Sequence, residues 1–73
     1  MTLAELTERL LNGEEFVFNF QDNEYWISQN EGLFFLTVVS ESFSQEYKSV
    51  FDLIEEGTLN SIPFKVAFKD IDL

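Results

Sequence analysis

The chain contains neither cysteine nor histidine. The first absence excludes disulfides and thiolate metal ligands. The second removes the commonest zinc ligand and the commonest general base. Serines are present at 28, 40, 42, 44, 49 and 61, but nucleophilic catalysis needs a base to activate the hydroxyl, and the usual partners are missing. Carboxylate pairs are uninformative here, because with 14 acids some pair is close under any fold. Glycine is scarce: Gly13, Gly32 and Gly57 stand alone, each at a turn or helix end, and form no phosphate-cradling loop. Asp70-x-Asp72 matches only the first two positions of a calcium loop, without its glycine or distal glutamate. The expectation is a protein that is not an enzyme, with no cofactor and no metal.

Positive charge is also in short supply. Four basic residues stand against 14 acidic ones, a net charge of −10. Such a field opposes nucleic acid and anionic membrane surfaces, and is compatible with a basic protein partner. Its commoner role is to keep a small aromatic-rich domain in solution. The acids fall in the first helix, both hairpin turns, the serine-rich stretch and the tail, never in runs longer than two. A nucleic-acid mimic would concentrate them, so an acidic inhibitor or nucleic-acid mimic that blocks a basic partner stands only as an alternative reading. No basic leader opens the chain and no apolar stretch is long enough to span a membrane, so a cytoplasmic location is expected.

What the chain has is large apolar side chains. Of its 73 residues 45% are hydrophobic and nine are Phe, which argues against disorder and for one domain. A core of this size supplies only roughly 3–5 kcal/mol. Aromatic burial and self-association are the compensations open to it.

Most of these side chains lie between Glu14 and Ser40. Phe16, Phe18 and Phe20 alternate and so share one face of a strand. Asp22-Asn23 and Glu31-Gly32 carry the residue types of two-residue hairpin turns. With these turns Phe20 opposes Tyr25, Phe18 opposes Ile27, Ile27 opposes Leu36 and Tyr25 opposes Val38. The two turns agree on one apolar face: Phe16, Phe18, Phe20, Tyr25, Ile27, Phe34, Leu36 and Val38. A one-residue slip would scatter it.

The second face is not plainly polar. It carries Val17, Trp26, Leu33, Phe35 and Val39 among Asn19, Ser28 and Thr37, whereas a solvated sheet face alternates more cleanly. The expected cover is the C-terminal helices, with the N-terminal helix on the first face. If all helices instead share the first face, these five residues form an exposed patch of the kind that marks a partner site or a self-association surface. A third reading places a small ligand in a helix–sheet cleft near Trp26.

The flanking segments read as covers. Thr2 and Glu5 have the spacing of a capping box, and Leu3, Leu6 and Leu10, widened by Ala4 and Leu11, form the stripe of a helix over about 3–12 that Gly13 stops. Ser40 to Glu46 is polar and predicts a loop pinned by Phe43. Ser49 and Asp52 predict a short helix over about 50–56 ending at Gly57. The tail fits either a strand with Phe64, Val66 and Phe68 alternating, or a helix capped by Ser61 in which Phe64 meets Phe68.

Glu15-Phe16-Val17-Phe18, Tyr25-Trp26-Ile27, Tyr47-Lys48-Ser49-Val50-Phe51-Asp52-Leu53, and in the tail Phe64, Ala67-Phe68 and Asp70-Ile71-Asp72-Leu73, resemble a group of small acidic proteins from low-GC Gram-positive bacteria and their mobile elements. The chain departs from that pattern at Asn60-Ser61, where a turn glycine would stand, and at Pro63. The resemblance carries no activity. It implies a short helix near 62–68 and then an extended end. The fold expected is therefore α+β: a three-stranded antiparallel meander over about 14–40, an N-terminal helix, two short C-terminal helices over about 50–56 and 62–68, and room for a short terminal strand at 70–73.

Overall fold

The computed structural model describes residues 1–71 and 73. An N-terminal helix, α1 (Leu3–Leu11), leads into four antiparallel strands in sequential order: β1 (Phe16–Phe20), β2 (Asn23–Asn30), β3 (Leu33–Val38) and β4 (Phe43–Tyr47). Helix α2 (Val50–Glu56) follows. A miniature hairpin, β5 (Thr58–Leu59) with β6 (Ile62–Pro63), then delivers helix α3 (Phe64–Ala67) and a 3-10 turn over Phe68–Asp70.

Both predicted caps form. The Thr2 hydroxyl accepts from the Glu5 amide at 3.1 Å while the Glu5 carboxylate accepts from the Thr2 amide at 3.1 Å. Hydrogen bonding to its carboxylate from Thr2, the backbone amide first and the hydroxyl second, holds the Glu5 carboxyl below its ordinary value. The Ser49 hydroxyl accepts from the Asp52 amide at 3.0 Å. Gly13 ends the α1 region with φ +92, a conformation that costs glycine nothing.

The β2–β3 register matches expectation: Ile27 opposes Leu36, Tyr25 opposes Val38 and Gln29 opposes Phe34. The β1–β2 register differs by two residues. Its turn is Gln21-Asp22, with φ of 49° and 66°, and Phe18 opposes Tyr25. A shift of two preserves every side chain's face, so the division into two faces survives the wrong turn. Phe18 and Tyr25 stack with ring centroids 5.7 Å apart.

Three expectations are overturned along the rest of the chain. The polar stretch after Val39 is a 3-10 turn followed by a fourth strand, not a loop, and Phe43 pins nothing: it is 60% exposed. Ser61 caps no helix. It occupies an Asn60-Ser61 hairpin turn at φ 66°, and α3 starts after Pro63 instead. Phe64 and Phe68 do pair, with centroids 5.9 Å apart. Asp70 is in the 3-10 turn rather than a terminal strand, and Asp72, the middle of that expected strand and the second acid of the weighed calcium pair, lies outside the described residues.

The core is a single layer between sheet and helices. Leu6 and Leu10 from α1, Val50, Leu53 and Ile54 from α2, and Phe64 and Ala67 from α3 are buried with Phe18, Phe20, Tyr25, Ile27 and Leu36 of the sheet. Leu11, expected to widen the α1 stripe, is exposed, and so is Phe51 on α2. Two glutamines on the core face of the sheet tie the covering layer down. Gln29 Nε2 donates to the carbonyl of Leu10 at 2.8 Å. Gln45 donates from Nε2 to the Thr58 carbonyl at 2.8 Å, and its Oε1 accepts from the Thr58 amide at 3.0 Å, so one side chain completes a strand-like pair with β5.

Candidate functional site

All three helices lie on the face of the sheet that carries Phe18 and Ile27. The expected cover of the second face by the C-terminal helices is therefore corrected: α2 and α3 join α1 on the first. The physical reason is chain length and anchoring. Gly57 closes the α2 end tightly, its amide donating to Leu53 O at 2.8 Å, and its carbonyl accepts from the Phe64 amide at 2.8 Å, which folds the tail back on the helix it has just left. Seven residues separate α2 from α3, and most of them are folded into the β5–β6 hairpin, which leaves too short a path to round the sheet edge.

The second face is consequently open among the described residues. Its side chains stand in rows across the strands, set by the register. One row is Val17, Trp26, Thr37 and Ser44. The next is Ser28, Phe35 and Glu46. Asn19 and Glu24 form a row at one end, and Asn30 and Leu33 at the other. Trp26 and Phe35 are diagonal neighbours, within reach of one another for large rings. Val17 is 58% exposed, Trp26 41% and Val39 41%; Leu33 and Phe35 are half-buried. All five residues proposed from the sequence are thus brought to one surface.

A shallow trough of about 480 Å³ lies on this face, with Trp26, Phe35 and Val39 as its apolar lining and Thr37 and Ser44 among its polar lining; Val17 and Leu33 are not part of it. The Thr37 and Ser44 hydroxyls bond each other at 2.7 Å. Thr37 was placed on this face from the sequence, but Ser44 was missed because β4 was not recognised as a strand; the alternation of Phe43, Gln45 and Tyr47 against Ser44 and Glu46 was the available signal. The helix–sheet cleft imagined near Trp26 does not form, since the indole lies on the side opposite the helices.

No known protein family, curated protein or solved structure matches this chain.

The face is therefore read on its own chemistry. Its centre is aromatic and aliphatic, its inner polar groups are short hydroxyls, and its margins carry Glu24 and Glu46, both exposed. The four cations sit elsewhere or at its limit. Arg9 lies 3.7 Å from the Glu14 carboxylate beside α1, Lys65 bridges Glu55 at 3.0 Å between α3 and α2, and Lys69 follows α3. Lys48 comes just after β4. Among the described residues no three acids converge in a way that could hold a metal ion, and no helix is long and apolar enough to cross a membrane.

Proposed function

We propose that the chain is a small, non-enzymatic, cytoplasmic interaction protein that engages a protein partner through the open sheet face of Val17, Trp26, Leu33, Phe35 and Val39. The observation that carries this reading is the one-sided placement of the helices, which leaves a tryptophan and a phenylalanine side by side on a surface with no cover from the described chain. Large apolar patches on small monomers commonly mark binding surfaces, and tryptophan is enriched where binding energy concentrates. The side chains on offer are suited to contact and hydrogen bonding rather than to bond making.

The test compares two paired substitutions in capture from the native host. Trp26→Ser/Phe35→Ser alters the open face. Phe51→Ser/Val66→Ser alters two exposed apolar residues on the helical side. Binding partners held by the wild type are expected to be lost with the first pair and kept with the second. Equal capture by both, or none by the wild type, overturns the reading. Unchanged thermal melting of the first pair shows that the loss is not unfolding.

A further inference from the structure

Resting on that reading, we propose that the occupant of the open face is a surface of another protein with an apolar centre and a rim of lysine or arginine, and not a second copy of this chain. The area of the face and the placement of charge both lead there. Four strands about 4.8 Å apart, each contributing about five residues at about 3.4 Å, present on the order of 300 Å². A stable interface takes roughly 800 Å² from each partner. That area already includes the rows of Glu24 and Glu46, so any lasting complex uses the whole face, its margin included, and extends past it.

That margin is acidic. Glu46 stands directly across from Phe35 on β4, and Glu24 precedes Trp26 by one turn of the β2 alternation, on the same face. Glu15, just before β1, lies next to β2, its carboxylate accepting from the Gln29 amide at 3.4 Å. Arg9 and Lys65 are held in ion pairs in the helical layer, and Lys69 follows α3. Lys48, beyond the end of β4, is the one cation in the sheet half of the chain. A second copy would bring its own net charge of −10 and set Glu24 and Glu46 against like charges, which costs stability and slows encounter. A cationic rim meets them with opposite sign. The aromatic centre, in turn, distinguishes this occupant from a bare basic surface such as one evolved for nucleic acid, which needs no apolar core.

The experiment is selection of binders from a random-peptide display library on the immobilised wild-type chain, with sedimentation of the free chain alongside. Enriched peptides are expected to combine Lys or Arg with an aromatic or branched aliphatic residue. Their binding should vanish with Trp26→Ser/Phe35→Ser and weaken roughly threefold to tenfold with Glu24→Gln/Glu46→Gln, the size of two exposed ion pairs. It should also weaken as ionic strength is raised to the physiological range. Four results overturn the proposal. Peptides that need Trp26 but are neutral or acidic leave the face a binding site and remove the cationic partner. Indifference to Glu24→Gln/Glu46→Gln does the same. A dimer that Trp26→Ser/Phe35→Ser dissociates makes the occupant a second copy. Peptides indifferent to Trp26→Ser/Phe35→Ser, or no enrichment at all, remove the face itself as the site and the functional reading with it.

Discussion

At the scale of single residues, the most constrained position is Gly57, and the reason is space rather than φ. Its backbone is extended, at φ −64° and ψ 150°, a conformation open to any residue. A Cβ added there would lie 2.4 Å from the carbonyl oxygen of Leu53 and 3.3 Å from Leu36 Cδ2. The first contact is with backbone that also accepts the Gly57 amide, so it has no flexible end to yield. Gly57→Ala is expected to destabilise by about 1–3 kcal/mol, a fall in melting temperature on the order of 10 °C for a domain of this size. Calorimetry that finds less than a degree of change would refute the close approach. Tyr47 gives a pH signature. Burial, and then the charge of Glu56, hold its phenol above the ordinary value of 10.0. The folded state thus binds this proton more tightly than the unfolded one. Its stabilising contribution is complete below about pH 10 and is lost as pH rises from there through the folded value. Urea midpoints measured between pH 8 and pH 11 should fall less steeply in Tyr47→Phe than in the wild type, although the variant starts lower at neutral pH because Tyr47 no longer donates to Gln45 Oε1, a bond of 2.8 Å.

At the scale of elements, the three two-residue hairpin turns share one geometry. Gln21-Asp22, Glu31-Gly32 and Asn60-Ser61 all have positive φ at both central residues, the turn whose twist suits antiparallel strands. Only the middle one uses glycine. Asp22→Gly and Ser61→Gly should each stabilise by roughly 0.5–1 kcal/mol. Ser61→Gly should gain more, since aspartate tolerates the left-handed region through local hydrogen bonding better than serine. Denaturant midpoints of the two variants check both the sign and the order. These turns also explain how much of the fold could be read beforehand. The alternation of Phe16, Phe18 and Phe20 and the Glu31-Gly32 pair were strong enough to set the β2–β3 register and both faces. Gln21 carries no turn signal of its own, so the first turn was placed one residue late, which shifts the pairing by two. Strand β4 was a weak signal because, of its three core-facing side chains, Phe43 is not covered by the core, Gln45 is there to hold Thr58, and only Tyr47 packs against the core. Strands β5 and β6 are two residues each, too short for any periodicity. The five residues of the candidate face were legible, because strand alternation fixes the face even when the register slips. Their exposure was not, because it depends on which side the helices choose, and for α3 that is decided by the tight joint at Gly57, which folds the tail back on α2.

At the scale of the whole molecule, the charge works against the fold. A net −10 is confined within principal extents of 28 × 25 × 18 Å, comparable to two or three screening lengths at physiological salt. Two ion pairs, Arg9 with Glu14 and Lys65 with Glu55, both exposed, offset little of it. Added sodium chloride is expected to raise the melting temperature progressively from low ionic strength up to the physiological range, and little beyond. A melting temperature that is flat or falls over the lower part of the series would show that self-repulsion is not a significant cost here.

The one-sided helical layer has a consequence for how this chain can change over time. Along every strand, consecutive residues answer to different demands: one faces the helices and must pack, the next faces outward. Folding and recognition are thereby written in alternate letters of the same stretch. The outward letters can be rewritten almost independently, because they touch neither α1, α2 nor α3. A lineage could exchange Trp26, Phe35 and their neighbours for another set and acquire a different partner without having to rediscover the fold.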